Sequence, residues 1–377
     1  MSSFFPDTKP SLVERLIIRL LRQGQIPAHI GFIMDGNRRY ARQRQVEKLI
    51  GHSRGFDKLA ETLGWCRDLG VRQATIYAFS IENFKRPPDE VAGLMDLFRR
   101  QFEKLIEEFP KFDAFQICVR VYGRVDMLPA DVQASVAKVV ARTAKNDRFY
   151  LNVALAYTSR AEICSAIGEL KQAVEGGQLK AEEITEETLS GAMYSAGLRD
   201  PDILIRTSGE IRLSDFLLWQ SAFSYIFFAR ELWPDFSIWS LFVGILHYQV
   251  QAGVIARARE HYQAQLERLQ AKKRERQHHL LQNGSGGSIM CNGGGGKVDG
   301  GYRNRMVVYP VKQNGLCRGE GRGGENGHRP QENHIGENAS STESQHRQPR
   351  LSGGGQLLFA AFLLLIIFAV VSSALFA

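Results

Sequence analysis

Two clusters of charged and polar side chains, each following a short apolar run, are the parts of this sequence best suited to chemistry. The first follows residues 31–34 and reads Asp35-Gly36-Asn37-Arg38-Arg39, and the second includes Arg206, Arg212 and Ser214. Guanidinium and hydroxyl groups match phosphate oxygens. A carboxylate beside them can share Mg²⁺ with a phosphate. The two clusters therefore indicate an enzyme that holds two phosphorylated substrates, with a divalent metal on one of them.

The first cluster has a functional and a structural interpretation. Gly36 would let backbone N–H groups approach an oxyanion, and a helix beginning after it would add a favourable dipole. Asp35 would repel a bare diphosphate, but it becomes a ligand once Mg²⁺ lies between them. The structural alternative is that Asp35 caps a helix and the arginines face solvent. His52, which follows Gly51, could reach the same phosphates or lie on the surface.

A third polar group follows the apolar run at residues 74–79. The pair Pro87-Pro88 comes after it and predicts a loop followed by a helix start, so this group belongs at the end of a strand. Its side chains could take part in the chemistry or cap the next helix. The group consists of Ser80, Glu82, Asn83 and Arg86. The second cluster also has a structural alternative, in which Glu210 forms an ion pair with one of its arginines.

The elements that position these clusters are predicted from apolar patterning. Six short, nearly continuous apolar runs are typical of strands buried on both faces. Between most of them lie helix-length segments, such as Glu90–Glu108 with apolar residues three and four apart. This alternation predicts an α/β fold with a mainly parallel central sheet flanked by helices, and a ligand site at the carboxyl ends of the strands. The strand runs are His29–Met34, Ala74–Phe79, Phe115–Tyr122, Tyr150–Ala156, Ile203–Ile205 and Tyr225–Phe228.

Several long motifs, in this order, resemble those of one family. They are Met34-Asp-Gly-Asn-Arg-Arg-Tyr-Ala41, Gly51-His52, Tyr77-Ala-Phe-Ser-Ile-Glu-Asn-Phe84, Ile205-Arg-Thr-Ser-Gly-Glu210 and Leu213-Ser-Asp-Phe-Leu-Leu-Trp-Gln220. On these motifs, residues 12–259 resemble the cis-prenyltransferases, and within them the eukaryotic dehydrodolichyl diphosphate synthase catalytic subunits. The fold this implies is that of undecaprenyl diphosphate synthase. The Asp-Asp-x-x-Asp motif of trans-prenyltransferases does not occur in the sequence.

The resemblance implies condensation of isopentenyl diphosphate units onto farnesyl diphosphate, giving Z double bonds and a long-chain polyprenyl diphosphate for dolichol synthesis and protein glycosylation. Asp35 would bind Mg²⁺ and the allylic diphosphate, which is cradled by Gly36, Arg38, Arg39 and His52. Asn37, Ser80 and Glu82 would orient isopentenyl diphosphate and assist removal of its proton. Arg86, Arg206, Arg212 and Ser214 would bind isopentenyl diphosphate, and Asn83 is counted among the substrate-binding residues. An apolar tunnel would hold the growing chain, with Leu94–Phe102 as candidate lining.

Departures from the family pattern imply a heteromer. Single-subunit bacterial relatives carry a metal-binding Glu where this chain has Tyr225, and they end in an Arg-x-Gly motif that does not follow the core here. Arg322-Gly-Gly324 matches that string only within a low-complexity stretch. Lys48 replaces an arginine with its charge retained. The missing groups imply a Nogo-B-receptor-like accessory subunit that donates Arg-x-Gly.

Outside the catalytic region, composition predicts further segments. The chain has 377 residues and a formal net charge of +8. An amphipathic stretch lies within residues 1–26 and could lie at a membrane interface or pack on the domain. The catalytic domain is assigned to 27–255, a basic helix to 256–282, and a disordered polar linker to 283–355. Five scattered cysteines fit a reducing compartment, and no nucleic-acid-binding module is recognisable.

Residues 356–377 are apolar and long enough to span a bilayer. A basic flank before them predicts a tail anchor with the catalytic domain in the cytosol. The alternatives are a buried core helix or a glycolipid-anchor signal, and the latter lacks a signal peptide and a polar spacer. With the dolichol product, this predicts the endoplasmic reticulum membrane. Two other functions remain: a non-catalytic scaffold or lipid-binding subunit, and a phosphoesterase or nucleotide-binding protein, which would lack a P-loop here.

Overall fold

A computed structural model describes residues 10–283 of the chain. Within that range the protein contains nine α-helices and six β-strands in one sheet. The helices are α1 Leu12–Leu21, α2 Asn37–Gln43, α3 Lys48–Leu69, α4 Pro88–Glu107, α5 Phe109–Phe115, α6 Ala130–Thr143, α7 Ser159–Glu175, α8 Glu186–Ala192 and α9 Ile238–Asn283. The strands are β1 His29–Ile33, β2 Gln73–Ser80, β3 Ile117–Tyr122, β4 Phe149–Tyr157, β5 Ile203–Arg206 and β6 Tyr225–Phe228.

The sheet has the order β3-β4-β2-β1-β5-β6, and every neighbouring pair is parallel. All six predicted strands form, and the predicted α/β fold with a parallel sheet is confirmed. All residues of β1 and β5 are buried. Between these two strands the direction of strand addition reverses, and such a reversal opens a crevice at the carboxyl ends of the strands.

Two glycines on α3 let α2 pack against it at very short range. A Cβ on Gly51 would lie 2.4 Å from the carbonyl oxygen of Asn37, and one on Gly55 would lie 2.3 Å from the Asn37 Oδ1. Helix α2 begins at Asn37, directly after Gly36, whose φ of 111° is strained for other residues. The two glycines and Gly36 therefore fix the position of the charged cluster that follows β1.

Helix α4 covers the other side of the same crevice. Pro87 and Pro88 end the preceding loop and begin the helix, as their position in the sequence predicted. Its buried face includes Leu94, Phe98 and Phe102, spaced three to four residues apart. The predicted helix Glu90–Glu108 is thus confirmed, starting two residues earlier because proline is well suited to a first helical turn.

On the opposite face of the sheet, a core cluster forms between the strands and the segment that follows the second charged cluster. Phe216 and Leu217 from this segment pack on Ile33, Ala154 and Leu204. Burial of these side chains stabilises the segment that carries Ser214.

The first and last helices of the described part, α1 and α9, each have apolar residues outside the core. Helix α1 starts with a capping box at Ser11 and buries Ile18 and Leu21, while its exposed apolar residues are Leu12, Val13, Leu16 and Leu20. Within the described part, Ile238–Lys272 of α9 is long and apolar enough to cross a membrane, and 44% of its most apolar window is buried in the protein. Helix α9 runs without interruption through residue 255, where the catalytic domain was predicted to end. The predicted linker beyond Asn283 and the anchor 356–377 lie outside the described residues.

Candidate active site

A cavity of about 1290 Å³ opens at the carboxyl ends of the strands, where the fold predicts a ligand site. Every residue that the sequence nominated for the site lines it. These residues are Asp35, Gly36, Asn37, Arg38, Arg39, His52, Ser80, Glu82, Asn83, Arg86, Arg206, Arg212 and Ser214. Eight cationic and four acidic side chains line the cavity. Because the cations are in excess, the cavity suits anionic ligands.

Asp35 lies at the centre of the charged part of the cavity. Its Oδ2 accepts a hydrogen bond of 2.8 Å from Nη2 of Arg206 and lies 3.4 Å from Nη2 of Arg39. Thr207 holds the backbone, because its hydroxyl donates to the Asp35 carbonyl at 2.7 Å. Partial burial would raise the pKa of Asp35, but the hydrogen bond and charge of Arg206 and the charge of Arg39 outweigh it and lower the pKa. Asp35 is therefore ionised and does not cap α2.

The second charged cluster is organised around Arg206, whose side chain is 3% exposed. Its Nη1 donates to the carbonyl of Arg212 and, at 2.6 Å, to Oγ of Ser214. Its Nε has no hydrogen-bond partner among the described residues. Arg212 forms an ion pair with Glu210, so the predicted acidic partner is present alongside the cationic site.

Arg39 joins the two clusters. Its guanidinium donates to Oγ of Ser208 at 2.6 Å and lies 3.3 Å from Oε1 of Glu210. Ser208 adopts a φ of 76°, an uncommon backbone conformation for a non-glycine residue, and such strain is frequent at functional sites. Arg39, from the first sequence cluster, therefore lies among residues of the second.

A second buried carboxylate, Glu90, organises the remaining cations. The Glu90 side chain is 3% exposed, and Lys48 and Arg86 lie 3.2 and 3.1 Å from its two oxygens. Arg38 lies 3.9 Å away. Burial would raise the pKa of Glu90, but the hydrogen bond from Lys48 and the charges of Arg86, Lys48 and Arg38 lower it. Arg86 thus shares this carboxylate with Arg38, and it lines the same cavity as Arg206, with which it was predicted to bind substrate.

His52 lines the cavity near this second group. Burial, with the positive charges of Arg86 and Arg38, lowers the pKa of His52 to about 4. Its Nε2 is buried and has no hydrogen-bond partner among the described residues. His52 is therefore neutral at pH 7 and presents an unsatisfied polar atom, which argues against the alternative of a surface histidine.

The polar group after β2 combines capping with exposure to the cavity. The Ser80 hydroxyl accepts from the backbone N–H of Glu82 at 3.2 Å, and the Asn83 side chain accepts from the Ser80 N–H at 3.0 Å. Glu82 forms an ion pair with Lys85 at 2.5 Å, and this contact lowers the pKa of Glu82. Ser80 and Asn83 therefore cap this turn, as one interpretation predicted, and they also line the cavity, where their part in the chemistry stays a prediction.

The deeper part of the cavity is apolar. It extends between α3, α4 and the strands β2 and β4, where Leu59, Ile76 and Val153 face it. The α4 residues Leu94, Leu97, Phe98, Phe102 and Leu105 also line it. An apolar chamber that continues from a cationic mouth suits a ligand with a charged head and a hydrocarbon tail.

The donor set decides which metal the site could hold. Among the described residues, no group of three or more His, Cys, Asp or Glu side chains could hold an ion. Mg²⁺ is commonly bound by one or two carboxylates together with substrate phosphates. One carboxylate, Asp35, in a cavity built for anions fits that arrangement and does not fit an ion held by protein ligands alone.

Several residues at the site were missed by the sequence reasoning. Glu90 was predicted only as part of a helix, although its place in the first turn after the proline pair is a signal for a position near the loop. Trp233 lines the cavity and donates to the carbonyl of Gly55 at 2.7 Å. Arg160 and Asp215 also line it. Tyr225 does not, since it begins β6 at the amino end of the sheet.

Comparison with known proteins agrees with this geometry. The sequence profile of the undecaprenyl diphosphate synthase family of prenyltransferases matches residues 33–254. The dehydrodolichyl diphosphate synthase complex subunit of Homo sapiens is 47% identical over 271 residues, which is 72% of this chain and 81% of the human one. The geranylgeranyl-diphosphate-specific tritrans,polycis-undecaprenyl-diphosphate synthase of Thermococcus kodakarensis is 43% identical over 223 residues, 59% of this chain and 84% of that one.

A solved structure shares the architecture. Lavandulyl diphosphate synthase from Lavandula x intermedia, crystallised with dimethylallyl diphosphate, matches with a TM-score of 0.57 and 30% identity, over 59% of this chain and 95% of that one. The family match covers more than half of the chain and contains the whole lining of the cavity. The chain belongs to the undecaprenyl diphosphate synthase family and is a cis-prenyltransferase.

Proposed function

We propose that the enzyme condenses isopentenyl diphosphate with farnesyl diphosphate and repeats the step to make a long-chain polyprenyl diphosphate of the dehydrodolichyl type. The observation that carries this proposal is the single cavity with two cationic groups at its mouth and an apolar chamber behind them. In each cycle the C–O bond of the allylic diphosphate breaks, the allylic carbon bonds to the terminal alkene carbon of isopentenyl diphosphate, and a proton leaves.

The first group of residues would hold the allylic diphosphate. Arg38, His52 and the N–H groups after Gly36 would bind its oxygens, together with Arg39. Asp35 would bind Mg²⁺, which, when present, would neutralise part of the charge that develops on the leaving diphosphate. The fixed cations stabilise the same charge without reorganisation, because they are already held by Glu90 and Asp35.

The second group would hold isopentenyl diphosphate. The donors here are the guanidinium groups of Arg206 and Arg212 and the hydroxyl of Ser214. The Nε–H of Arg206 has no hydrogen-bond partner among the described residues and could donate to a phosphate oxygen. Arg86 lies near Arg38, so it would contact the allylic diphosphate or both diphosphates. Asn37, Ser80 and Glu82 would orient isopentenyl diphosphate, with Asn83 fixing Ser80, and the departing proton would pass to an oxygen acceptor in this region.

The primer and product follow from relatives and from the chamber. The human relative is named for dehydrodolichyl diphosphate, whereas the archaeal one is named as specific for geranylgeranyl diphosphate. Farnesyl diphosphate is the primer proposed here because the human relative covers more of this chain at higher identity. The product would serve dolichol synthesis and protein glycosylation.

The enzyme would work as a subunit of a heteromer at the endoplasmic reticulum. The name of the human relative specifies a complex subunit. The half-exposed strand β6 at the sheet edge and the lack of a following Arg-x-Gly motif support a Nogo-B-receptor-like partner. Residues 356–377 would anchor the chain in the membrane after the linker 283–355, and the exposed apolar residues of α1 would add an interfacial contact.

The test is incorporation of labelled isopentenyl diphosphate into lipid by purified full-length chain with Mg²⁺. Farnesyl and geranylgeranyl diphosphates are supplied in parallel, with and without the candidate partner, beside Asp35→Ala. We expect partner-dependent incorporation with farnesyl diphosphate that is lost in the variant. Preference for geranylgeranyl diphosphate would overturn the primer, activity of the chain alone would overturn the heteromer, and no incorporation in any arm would favour a non-catalytic scaffold.

A further inference from the structure

We propose that Arg160 is a further substrate-binding residue, which contacts the diphosphate of isopentenyl diphosphate, and that Asp215 is the positioning residue that holds it there. This inference rests on the proposed function, in which Arg206, Arg212 and Ser214 bind the same group. Arg160 is the second residue of α7, which follows the carboxyl end of β4. Its side chain lines the cavity that also contains Arg206 and Ser214.

Two hydrogen bonds join Arg160 to the Asp215 carboxylate. Its Oδ1 accepts the Arg160 backbone N–H at 3.1 Å, and its Oδ2 accepts Nε at 2.8 Å. The Arg160 side chain is 78% exposed, and among the described residues no hydrogen bond or ion pair engages its Nη1 or Nη2. A guanidinium held through Nε keeps two terminal nitrogens for an oxyanion, which is the geometry in which arginine binds phosphate.

Further hydrogen bonds fix the backbone of Asp215 and of Ser214, the preceding residue. Ser214 and Asp215 have φ values of 49° and 61°, in the left-handed region where non-glycine residues are uncommon. Such a conformation persists where surrounding contacts determine it. Here the Ser159 N–H donates to the Asp215 carbonyl at 2.8 Å, and the Tyr77 hydroxyl donates to the Ser214 carbonyl at 3.2 Å.

These contacts link Arg160 to the second cationic group in space. Oγ of Ser214 accepts from Arg206 at 2.6 Å, and the next residue, Asp215, accepts from Arg160 in the first turn of α7. The loop that contains Ser214 and Asp215 therefore contacts both arginines. Arg160, Arg206 and Ser214 line the same cavity. The diphosphate of an isopentenyl diphosphate bound at Arg206 and Ser214 would therefore lie on the side of the cavity where Arg160 is held.

The experiment compares Arg160→Gln and Arg160→Lys with the unchanged enzyme, in the full-length chain and with its partner where the partner is required. For Arg160→Gln we expect the KM for isopentenyl diphosphate to rise about tenfold, the effect of one charge-assisted hydrogen bond. The KM for the allylic primer should stay within about twofold. The KM of Arg160→Lys for isopentenyl diphosphate should lie between those of Arg160→Gln and the unchanged enzyme, because lysine keeps the charge but loses the planar guanidinium with its several donors.

Asp215 is tested by a pair of variants. Asparagine tolerates the left-handed conformation and can still accept from the Arg160 N–H, but its amide NH₂ group would then face the N–H of Arg160 Nε, donor against donor. Asp215→Asn and Asp215→Ala therefore both lose the contact that orients the guanidinium, and both should raise the KM for isopentenyl diphosphate about as much as Arg160→Gln, with a smaller change in kcat. An unchanged KM for isopentenyl diphosphate in Asp215→Ala would overturn the positioning role.

A matched control separates this effect from the loss of any surface ion pair. Arg142→Gln removes a guanidinium that is paired with Asp113 through its two terminal nitrogens, away from the cavity, and it should change neither KM. An unchanged KM for isopentenyl diphosphate in Arg160→Gln, or equal rises for both substrates, would overturn the inference. If the unchanged enzyme incorporates nothing, calorimetric titration with inorganic diphosphate still decides it: affinity must fall in Arg160→Gln and not in Arg142→Gln.

Discussion

Nη2 of Arg206 lies 2.8 Å from Oδ2 of Asp35, where Arg206 ends β5 and Asp35 follows the neighbouring parallel strand β1. Ile33 pairs in register with Arg206, so the carboxylate two residues beyond β1 meets the guanidinium at the end of β5. Arg206 is nearly fully buried, whereas Asp35 faces the cavity. One carboxylate therefore neutralises a buried cation and at the same time remains available to a ligand.

Replacement of this carboxylate by an amide should reduce catalysis much more than it reduces folding. For Asp35→Asn we expect kcat to fall by about 10²–10³-fold, the usual effect of losing one preorganised electrostatic contact. The free energy of unfolding should fall by about 1–3 kcal/mol, because a hydrogen bond to a charged group is lost. Steady-state kinetics and urea denaturation measure the two effects.

A surface carboxylate provides the comparison for this prediction. Asp126 forms an exposed ion pair with Arg124 outside the cavity, so Asp126→Asn should change the unfolding free energy by about 0–1 kcal/mol and leave kcat unchanged. If Asp35→Asn kept full activity, or lost stability without losing activity, Asp35 would be a structural partner of Arg206 and nothing more.

The strands, and the edge of the sheet that contains the site, were predictable because buried parallel strands appear in a sequence as continuous apolar runs. Which cations lie together in the site was not predictable from the sequence. Arg39 is adjacent to Arg38 in sequence, but on a helix they point in different directions, and they reach different carboxylates: Asp35 and Glu90. The burial of Glu90 depends on how α4 meets α2 and α3, which no local pattern contains.

Helix α3 allows a sharp test of the close packing that positions Asn37. A Cβ at position 55 would lie 2.3 Å from the Asn37 Oδ1, so Gly55→Ala must displace the Asn37 side chain. We expect a loss of about 1–3 kcal/mol in unfolding free energy, as for other overpacked sites, and a rise in KM for isopentenyl diphosphate, which Asn37 is proposed to orient.

The same helix contains the control. Gly64 has nothing within 4 Å of the Cβ it would gain, so Gly64→Ala should raise the unfolding free energy by about 0.5–1 kcal/mol through helix propensity alone. Urea denaturation of both variants under one set of conditions gives the comparison. If Gly55→Ala were as stable and as active as Gly64→Ala, the contact between α2 and α3 would not position the site.

Glu90 should contribute pH-dependent stability. Its pKa in the folded protein is lowered, so its contribution is present above the unfolded value of about 4.3 and is lost as the pH falls through the folded pKa. At pH 7 we expect Glu90→Gln to lose about 2–3 kcal/mol, less than for a fully buried pair because Arg38 and Lys48 are more than half exposed.

Urea denaturation of the Glu90→Gln variant and the unchanged protein from pH 7 to pH 3 tests this contribution. The difference between them should shrink below about pH 4.3, where the unfolded carboxyl becomes protonated. Glu61, paired with Lys58 at the surface, serves as the control: Glu61→Gln should cost about 0–1 kcal/mol. A difference that stayed constant down to pH 3 would mean that the charge of Glu90 does not stabilise the fold.

His52 should report directly on anion binding. Its pKa of about 4 lies below the unfolded value of about 6.5, so between these values the unfolded chain binds more protons and stability falls as the pH is lowered. His29, also buried with a pKa of about 4, lies at the other end of β1. Its Nδ1 donates to the Arg199 carbonyl at 2.7 Å, and its Nε2 accepts from the Thr75 hydroxyl at 2.7 Å. It is an internal reference, because both histidines share the same cause of their shift.

We expect saturating inorganic diphosphate to raise the pKa of His52 toward 6 or above, since an adjacent anion favours the imidazolium, and to leave His29 unchanged. Proton NMR titration of the histidine Cε1–H resonances, assigned with His52→Gln and His29→Gln, measures both. A His52 that titrates near 6.5 without ligand would show that it is not buried as described. A shift of both histidines together would place the effect on the whole fold, whereas a shift of His52 alone places diphosphate beside Arg38 and Arg86.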